Sequence, residues 1–110
     1  MDKQPCTYIL CSQRNGILYV GVTSALSLRM FQHVQGLVDG FTKRYRIKQL
    51  VDYEMHTTMP EAIAREKQLK SWRRAWKVKL IESVNPEWKN LFEQSTGEIL
   101  DGPADIEQRR

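Results

Sequence analysis

Two short apolar runs on either side of an Asn-Gly pair are the feature that most limits how this chain can fold. The runs cover residues 7–11 and 18–22, and both are rich in β-branched and aromatic side chains. Between such runs, Asn15-Gly16 favours a β-hairpin, because both residues tolerate the positive φ of a type I′ turn. The sequence therefore predicts two antiparallel strands near the amino terminus.

The length of the hairpin loop decides which side chains share a face. If Asn15-Gly16 is a two-residue loop, Arg14 pairs with Ile17 and Tyr8 pairs with Thr23. Side chains alternate along a strand, so Tyr8 and Tyr19 then emerge on the same face of the sheet. A shift of the register by one residue would separate them. The predicted turn thus brings two phenols to one site.

The length and composition of the chain indicate one soluble domain. Its 110 residues can bury one hydrophobic core but not two. Its formal net charge at pH 7 is +4. No apolar run approaches a membrane span, and the polar first residues are not a secretory signal, so we expect a cytoplasmic protein. Cys6 and Cys11 point to opposite faces of one predicted strand, which excludes a disulfide between them and predicts small buried side chains.

Positive charge is concentrated in two stretches. Residues 43–48 carry four cations and no acid, and residues 65–79 carry seven cations against Glu66 alone. Clustered cations near aromatic residues suggest a polyanionic partner, although a solvated helix face and a basic loop would look the same. The candidate phosphate contacts are Lys43, Arg44, Arg46, Lys70, Arg73 and Arg74.

The middle of the chain alternates helix and strand patterns. Ser24 is a suitable N-cap for a helix over residues 25–35, and Gly36 is placed to end it. Arg29 and His33 are four residues apart, so they lie one above the other beside the apolar stripe of that helix. The stripe consists of Leu26, Met30, Phe31 and Val34. Residues 48–54 predict a third strand.

A second, longer helix is predicted over residues 59–83. Thr58 and Glu61 form a capping box around Pro60. Its apolar arc contains Ala62, Leu69, Trp76 and Leu80, with Trp72 at one side, so both tryptophans are interpreted as core residues, with base-stacking platforms as the less favoured alternative. Glu66 falls at the edge of this arc, where a charge needs a cation, a metal or hydrogen-bond donors.

The end of the chain divides into a packed segment and a polar one. Residues 87–92 predict a short turn in which Trp88, Leu91 and Phe92 pack back on the core. From Ser95 onward the composition is polar and contains glycine and proline, which indicates a mobile tail. The expected division is therefore a domain over residues 1–94 and a tail over residues 95–110.

Two phenols, a guanidinium, an imidazole and a carboxylate are the groups that phosphodiester hydrolysis requires. A phenol can help to deprotonate water, and arginine neutralises charge on phosphoryl oxygens. A carboxylate can hold a divalent cation. A phenol with an ordinary pKa near ~10 is a weak base at neutral pH, so its surroundings would have to lower that pKa. From the residues alone, the chain has a candidate polyanion site.

Five positions, in order, resemble the motifs of the GIY-YIG endonuclease superfamily, in its small single-domain bacterial branch. The first motif is represented by Cys6-Thr7-Tyr8 and the second by Tyr19-Val20-Gly21. Arg29 and His33 match the family's helix positions, and Glu66 matches the metal-binding glutamate. The similarity extends from Thr7 to about Leu91.

The resemblance implies an α+β fold, with a small three-stranded antiparallel sheet flanked by helices. It also implies one Mg²⁺ or Mn²⁺ ion and hydrolysis of DNA, on branched or damaged structures among others, as in DNA repair. In the implied roles, Tyr8 is the general base or its helper and Tyr19 orients water or phosphate. Arg29 binds the scissile phosphate, His33 hydrogen-bonds to the tyrosines, Glu66 holds the metal, and Gly21 lets the backbone approach Tyr8.

Two positions depart from the family pattern. Cys6 replaces the first motif glycine, and Val78 stands where many nuclease members carry an asparagine. The second departure keeps an alternative open, namely a nucleic-acid-binding module with the same fold and weak or no catalysis. The sequence also leaves open whether the chain forms a homodimer or binds a partner protein.

Overall fold

The structure is a computed structural model that describes residues 3–38 and 40–101. Nine elements follow one another in this part of the chain: β1 (Cys6–Cys11), β2 (Leu18–Thr23), α1 (Leu26–Val34), α2 (Phe41–Arg44), β3 (Gln49–Met55), α3 (Met59–Ser71), α4 (Arg74–Val84), β4 (Phe92–Glu93) and β5 (Glu98–Ile99).

The expected α+β fold is confirmed. Strands β1, β2 and β3 form an antiparallel sheet in the order β2-β1-β3, so β1 is central and is buried along its whole length. One face of the sheet carries Tyr8 and Leu10, which pack with residues of α1, including Met30. The other face carries Ile9 and Cys11, which pack with residues of α3 and α4. Cys6 and Cys11 are both fully buried, as expected.

The hairpin forms where the sequence predicts it, but its predicted register is wrong. Residues 13–16 make a four-residue loop, closed by a hydrogen bond from Ser12 N to Ile17 O of 3.0 Å. Only Asn15 of the Asn-Gly pair adopts a positive φ, of 59°, whereas a type I′ turn needs two such residues. Tyr8 therefore lies opposite Gly21. The register differs from the expected one by two residues, so Tyr8 and Tyr19 still share a face.

Helix α1 and strand β3 lie close to their predicted positions. The N-cap of α1 is Ala25, not the predicted Ser24, and no side chain caps the helix. Just before the helix, the Thr23 hydroxyl accepts the Ala25 backbone N–H at 3.0 Å. Gly36 follows the helix with a φ of 72°, as expected for a glycine stop. Phe31 was expected in the core but is 48% exposed, whereas Leu26 and Met30 are buried.

The single helix predicted over residues 59–83 is two helices. Thr58 caps α3 by accepting the Glu61 N–H at 3.3 Å, which confirms the capping box. Trp72 and Arg73 have ψ angles of 148° and 151°, so the backbone is extended between α3 and α4. The 100° periodicity does not continue across this break. Trp76 consequently is 53% exposed, and its predicted core position is wrong.

The C-terminal part of the fold continues beyond the expected boundary at residue 94. Trp88, Leu91 and Phe92 are buried, as predicted. Residues 95–101, however, are part of the fold: β4 and β5 form a second antiparallel pair, and Ser27 Oγ donates to Gly97 O at 2.6 Å. The rest of the expected tail, residues 102–110, lies outside the described residues. Within the described ranges, no helix is long and apolar enough to cross a membrane.

Candidate active site

Three aromatic rings converge on the α1 side of the sheet. Tyr8 comes from β1, Tyr19 from β2 and His33 from α1. The ring centroids of the two tyrosines are 6.5 Å apart, and each lies 5.9 Å from the imidazole. Tyr8 and His33 are only 2% and 3% exposed, while Tyr19 is half-buried. Tyr19 therefore lies on the more open side of this pocket.

A chain of hydrogen bonds runs through the imidazole. Tyr8 Oη lies 3.0 Å from His33 Nε2, and His33 Nδ1 lies 3.2 Å from Thr42 Oγ1. Thr42 is a buried residue of α2. Its role is not visible in the sequence, because a single threonine in a short polar segment gives no periodic or motif signal. With Thr42 on one nitrogen and Tyr8 on the other, the orientation of the ring is fixed.

The imidazole is neutral at pH 7. Burial, followed by the positive charge of Arg29, lowers the pKa of His33 to about 4. A neutral imidazole has one N–H donor and one acceptor nitrogen. One neighbouring hydroxyl therefore accepts from the ring while the other donates to it, and the tautomer of His33 decides which of Tyr8 and Thr42 is the donor.

The phenol of Tyr8 is also neutral. Burial is the largest cause that raises its pKa, and the neighbouring Tyr19 adds to the effect. Arg29 lowers the pKa of Tyr8, but it does not outweigh burial. The surroundings thus raise the pKa of Tyr8 far above its ordinary value, whereas an ionised base would need a lowered one. Tyr8 is placed to pass a proton, with His33 as its neighbour, and not to hold a standing negative charge.

Gly21 allows Tyr8 to lie against the backbone of β2. A Cβ atom at position 21 would be 2.5 Å from Tyr8 Oη and 2.9 Å from Tyr8 Cε1. Both distances are shorter than any ordinary carbon contact, so the phenol occupies the space that a side chain would fill. This close approach has the form that the family motif implies for the glycine.

Glu66 belongs to the helix that packs on the other face of the sheet. Its side chain is 16% exposed, and its carboxylate accepts from Lys70 Nζ at 3.2 Å. Helix α3 contacts both β1 and β2, and β2 is an outer strand of the sheet. The negative charge of Glu66 is among the causes that raise the pKa of Tyr8, so the carboxylate lies within electrostatic range of the phenol.

The donor set around Glu66 suits a weakly held hard cation. Within residues 3–38 and 40–101, no three His, Cys, Asp or Glu side chains are grouped as a metal cage. Magnesium commonly takes one or two carboxylates and completes its shell with water and substrate phosphate. The half-buried carboxylate of Glu66 could supply one such ligand, and in the structure it is paired with the Lys70 ammonium.

The predicted phosphate contacts fall into two groups. Lys43, Arg44 and Arg46 are exposed in and after α2, the helix that also carries Thr42. The other group follows Glu66 towards the break between α3 and α4. There Arg74 donates to Asn15 O at 2.8 Å and thereby holds the hairpin loop, and Arg73 lies over the Trp76 ring at 5.9 Å.

Comparison with known proteins assigns the chain to a family. The model of the GIY-YIG catalytic domain matches residues 4–79. This chain belongs to the GIY-YIG family.

Relatives of this chain occur among small bacterial proteins. A UPF0213 protein of Staphylococcus saprophyticus is 37% identical over 81 residues, which cover 74% of this chain and 96% of the relative. UPF0213 proteins of Staphylococcus epidermidis and Staphylococcus aureus are each 34% identical over 82 residues, or 74% of this chain and 98% of the relative. No solved structure matches the chain. The GIY-YIG family is a nuclease family, and its resemblance to this chain is thereby confirmed.

The two asparagines that follow Val78 in the sequence, Asn85 and Asn90, are both used within the fold. Val78 is half-buried and packs against an apolar cluster that includes Ile81. Asn85 is fully buried, and its amide donates to Val51 O at 3.1 Å and Lys89 O at 2.8 Å. Asn90 Oδ1 accepts two backbone N–H groups, each at 3.1 Å. Both asparagines are therefore engaged in holding the fold together.

Proposed function

We propose that this GIY-YIG protein is a divalent-metal-dependent endonuclease that hydrolyses phosphodiester bonds in DNA. The observation that carries the proposal is the buried Tyr8–His33–Thr42 hydrogen-bond chain, which ends beside Tyr19 and under the influence of Arg29. Burial of two titratable groups that face a cation is typical of catalytic sites. The nuclease family of the chain supplies the reaction class.

Each of these side chains has a task that follows from its chemistry. The Arg29 guanidinium binds the scissile phosphate and neutralises the charge that builds on its oxygens. Tyr19, on the open side of the pocket, orients the attacking water or a phosphate oxygen. Tyr8 accepts a proton from that water as it passes its own to His33. A phosphate beside Arg29 offsets the cation that lowers the pKa of His33, so substrate binding itself favours this transfer.

A metal ion has one protein ligand in this proposal. Glu66 would hold Mg²⁺ or Mn²⁺, which stabilises negative charge on the leaving oxygen when it is bound. For that, the Glu66 carboxylate must leave the ammonium group of Lys70, which is 3.2 Å away and belongs to a side chain that is 51% exposed. Lys70 is then available for a DNA phosphate.

The second candidate function is a DNA-binding module with weak or no catalysis. It is favoured by Val78, which is apolar where many family members have an asparagine, and by the structural use of both nearby asparagines. In that case the basic residues still bind DNA, but hydrolysis is slow or absent whatever metal is added.

Cleavage of branched, nicked and intact DNA by the purified protein, with Mg²⁺, Mn²⁺ or EDTA, tests the proposal. We expect metal-dependent nicking that is lost in Glu66→Gln and Arg29→Gln and is strongly reduced in Tyr8→Phe. Glu87→Gln is the matched control, because it makes the same change at an exposed carboxylate that is 3.9 Å from Lys89. If the wild-type protein binds these DNAs but cuts none of them with either metal, the binding module is the correct reading.

A further inference from the structure

A second aromatic surface lies on the α4 side of the sheet, opposite to the Tyr8 pocket. Trp76 is 53% exposed, an unusual position for a large aromatic side chain. Together with Trp72 it lines an open groove of about 460 Å³, which Lys79, Leu80 and Ser83 complete. The sequence favours a core role for both tryptophans over base stacking, and the structure adds the open groove that they line.

The floor of the groove is held firmly. The rings of Trp72 and Trp76 meet edge to face, with centroids 6.0 Å apart. The guanidinium of Arg65 lies 5.1 Å from the centre of the Trp72 ring. Arg65 is fixed in turn by two hydrogen bonds to Glu54, of 2.7 and 3.0 Å. A ligand that contacts Trp76 therefore meets a surface whose orientation is largely set beforehand, which reduces the entropy lost on binding.

The charged side chains that border the Trp76 ring and line the groove beside it are basic. Arg73 lies over the Trp76 ring at 5.9 Å, and Lys79 lines the groove itself. Residues 67–81 contain no Asp or Glu, so the stretch before and along the exposed ring is purely basic. A protein partner with an apolar surface would not need basic side chains beside the exposed tryptophan. A nucleic acid would, because it carries negative phosphates together with flat bases.

We propose that this groove binds a single-stranded segment of nucleic acid, with one unpaired base stacked on Trp76 and the flanking phosphates on Arg73 and Lys79. An aromatic ring stacks on any base but only where the base is unpaired, because the faces of duplex bases are covered by their neighbours. The exposed half of the Trp76 ring, bordered by cations, has both properties that such a site requires.

This inference rests on the proposed function. It adds that the DNA substrate carries an unpaired segment. Helix α3 ends at Ser71, which is about 8 Å along the helix axis from Glu66. Trp72 directly follows the end of that helix, so the groove is close along the chain to the proposed metal ligand.

Binding measured by fluorescence anisotropy in EDTA, where no metal-dependent cleavage occurs, tests the inference. The probes are a labelled oligothymidylate and a blunt duplex of the same length. We expect Trp76→Ala to weaken binding of the single strand about tenfold and binding of the duplex less than about twofold. Phe31→Ala is the matched control, because Phe31 is an aromatic residue of similar exposure, 48%, on α1.

A second variant tests the charged part of the site. Lys79→Gln should lower the slope of log affinity against log salt by about one for the single strand. Equal losses on both probes in Trp76→Ala, or no loss on either, would overturn the inference. Self-association that depends on Trp76, seen by sedimentation velocity without any effect on oligonucleotides, would assign the groove to a protein contact instead.

The two proposals can fail separately. A protein that cuts no DNA but loses single-strand affinity in Trp76→Ala keeps the groove assignment and loses the nuclease proposal. A protein whose cutting and binding are both unaffected by Trp76→Ala keeps the nuclease proposal and loses the groove assignment.

Discussion

Replacing Gly21 with alanine adds one methyl group directly against the phenol of Tyr8. The new Cβ would lie 2.5 Å from Tyr8 Oη, and an ordinary contact requires at least about 3.4 Å. Tyr8 must therefore move by about 0.9 Å, or the strand must separate from β1 by a similar amount. A movement of this size along the Tyr8–His33 bond lengthens it from 3.0 Å to beyond the range of a hydrogen bond.

The cost of this substitution has two parts. Overpacking in a buried site costs about 1–3 kcal/mol, and loss of one buried hydrogen bond costs about 1–2 kcal/mol more. We expect the free energy of unfolding to fall by about 2–5 kcal/mol. In urea, with an m value near ~1.5 kcal/mol/M, a loss of about 3 kcal/mol lowers the unfolding midpoint by about 2 M.

Two further variants separate the clash from other effects of alanine. Gly36→Ala places a Cβ in open space, 4.0 Å from its nearest neighbour, at a φ of 72°, and so measures backbone strain alone at about 1 kcal/mol. In a Tyr8→Leu background the ring is gone, and Gly21→Ala should cost much less than in the wild type. If Gly21→Ala leaves the urea midpoint unchanged, or costs the same in both backgrounds, the close approach of the phenol to β2 is wrong.

Three other predictions follow from the buried hydrogen bonds. Thr42→Val keeps the shape of the side chain but leaves His33 Nδ1 unpaired, so we expect about 1–3 kcal/mol less stability and slower cleavage. Thr42→Ser should restore both, and if it restores neither stability nor cleavage, the hydroxyl has no role. The pKa of His33 is about 4 in the folded protein and 6.5 in the unfolded chain, so the unfolded chain binds more protons between these pH values. The contribution of His33 to stability is therefore fully present above pH 6.5, and stability falls by at most about 3 kcal/mol as the pH drops to 4. Urea titrations of wild type and His33→Gln should diverge in this pH window, and parallel curves would contradict the lowered pKa of His33. Asn85→Ala removes both donors and the acceptor of a fully buried amide, so we expect the free energy of unfolding to fall by about 2–4 kcal/mol in thermal or urea unfolding. A loss under about 0.5 kcal/mol would mean that water replaces the hydrogen bonds of the side chain.

The sequence was sufficient to predict the sheet and the pairing of its phenols, although not the turn that joins β1 and β2. The two-residue loop was inferred from Asn15-Gly16, but the Ser12 hydroxyl accepts the Ile17 N–H at 3.0 Å and extends the loop to four residues. An even shift of register keeps every side chain on its own face. The prediction that Tyr8 and Tyr19 share a face is therefore correct, although the predicted turn is wrong.

Other features of the site depend on tertiary contacts that no local pattern reports. Trp72 and Arg73 fit a continuous helix by propensity, yet both are extended, and this break exposes Trp76. The role of Thr42 depends on where α2 lies against α1. Tyr8 is neutral because its phenol is buried, and the residues next to Tyr8 in the sequence do not show how deeply that phenol is buried.

The small sheet of β4 and β5 sets a practical limit on how this domain can be transplanted into another protein. The segment that resembles the family model stops at residue 79, within α4, whereas Leu91 and Phe92 complete the apolar cluster beneath Tyr8. Tyr53 on β3 also donates to Leu100 O at 2.9 Å. A graft that ends with the family match would open the underside of the Tyr8 pocket to water, so a self-sufficient module has to extend to about residue 101.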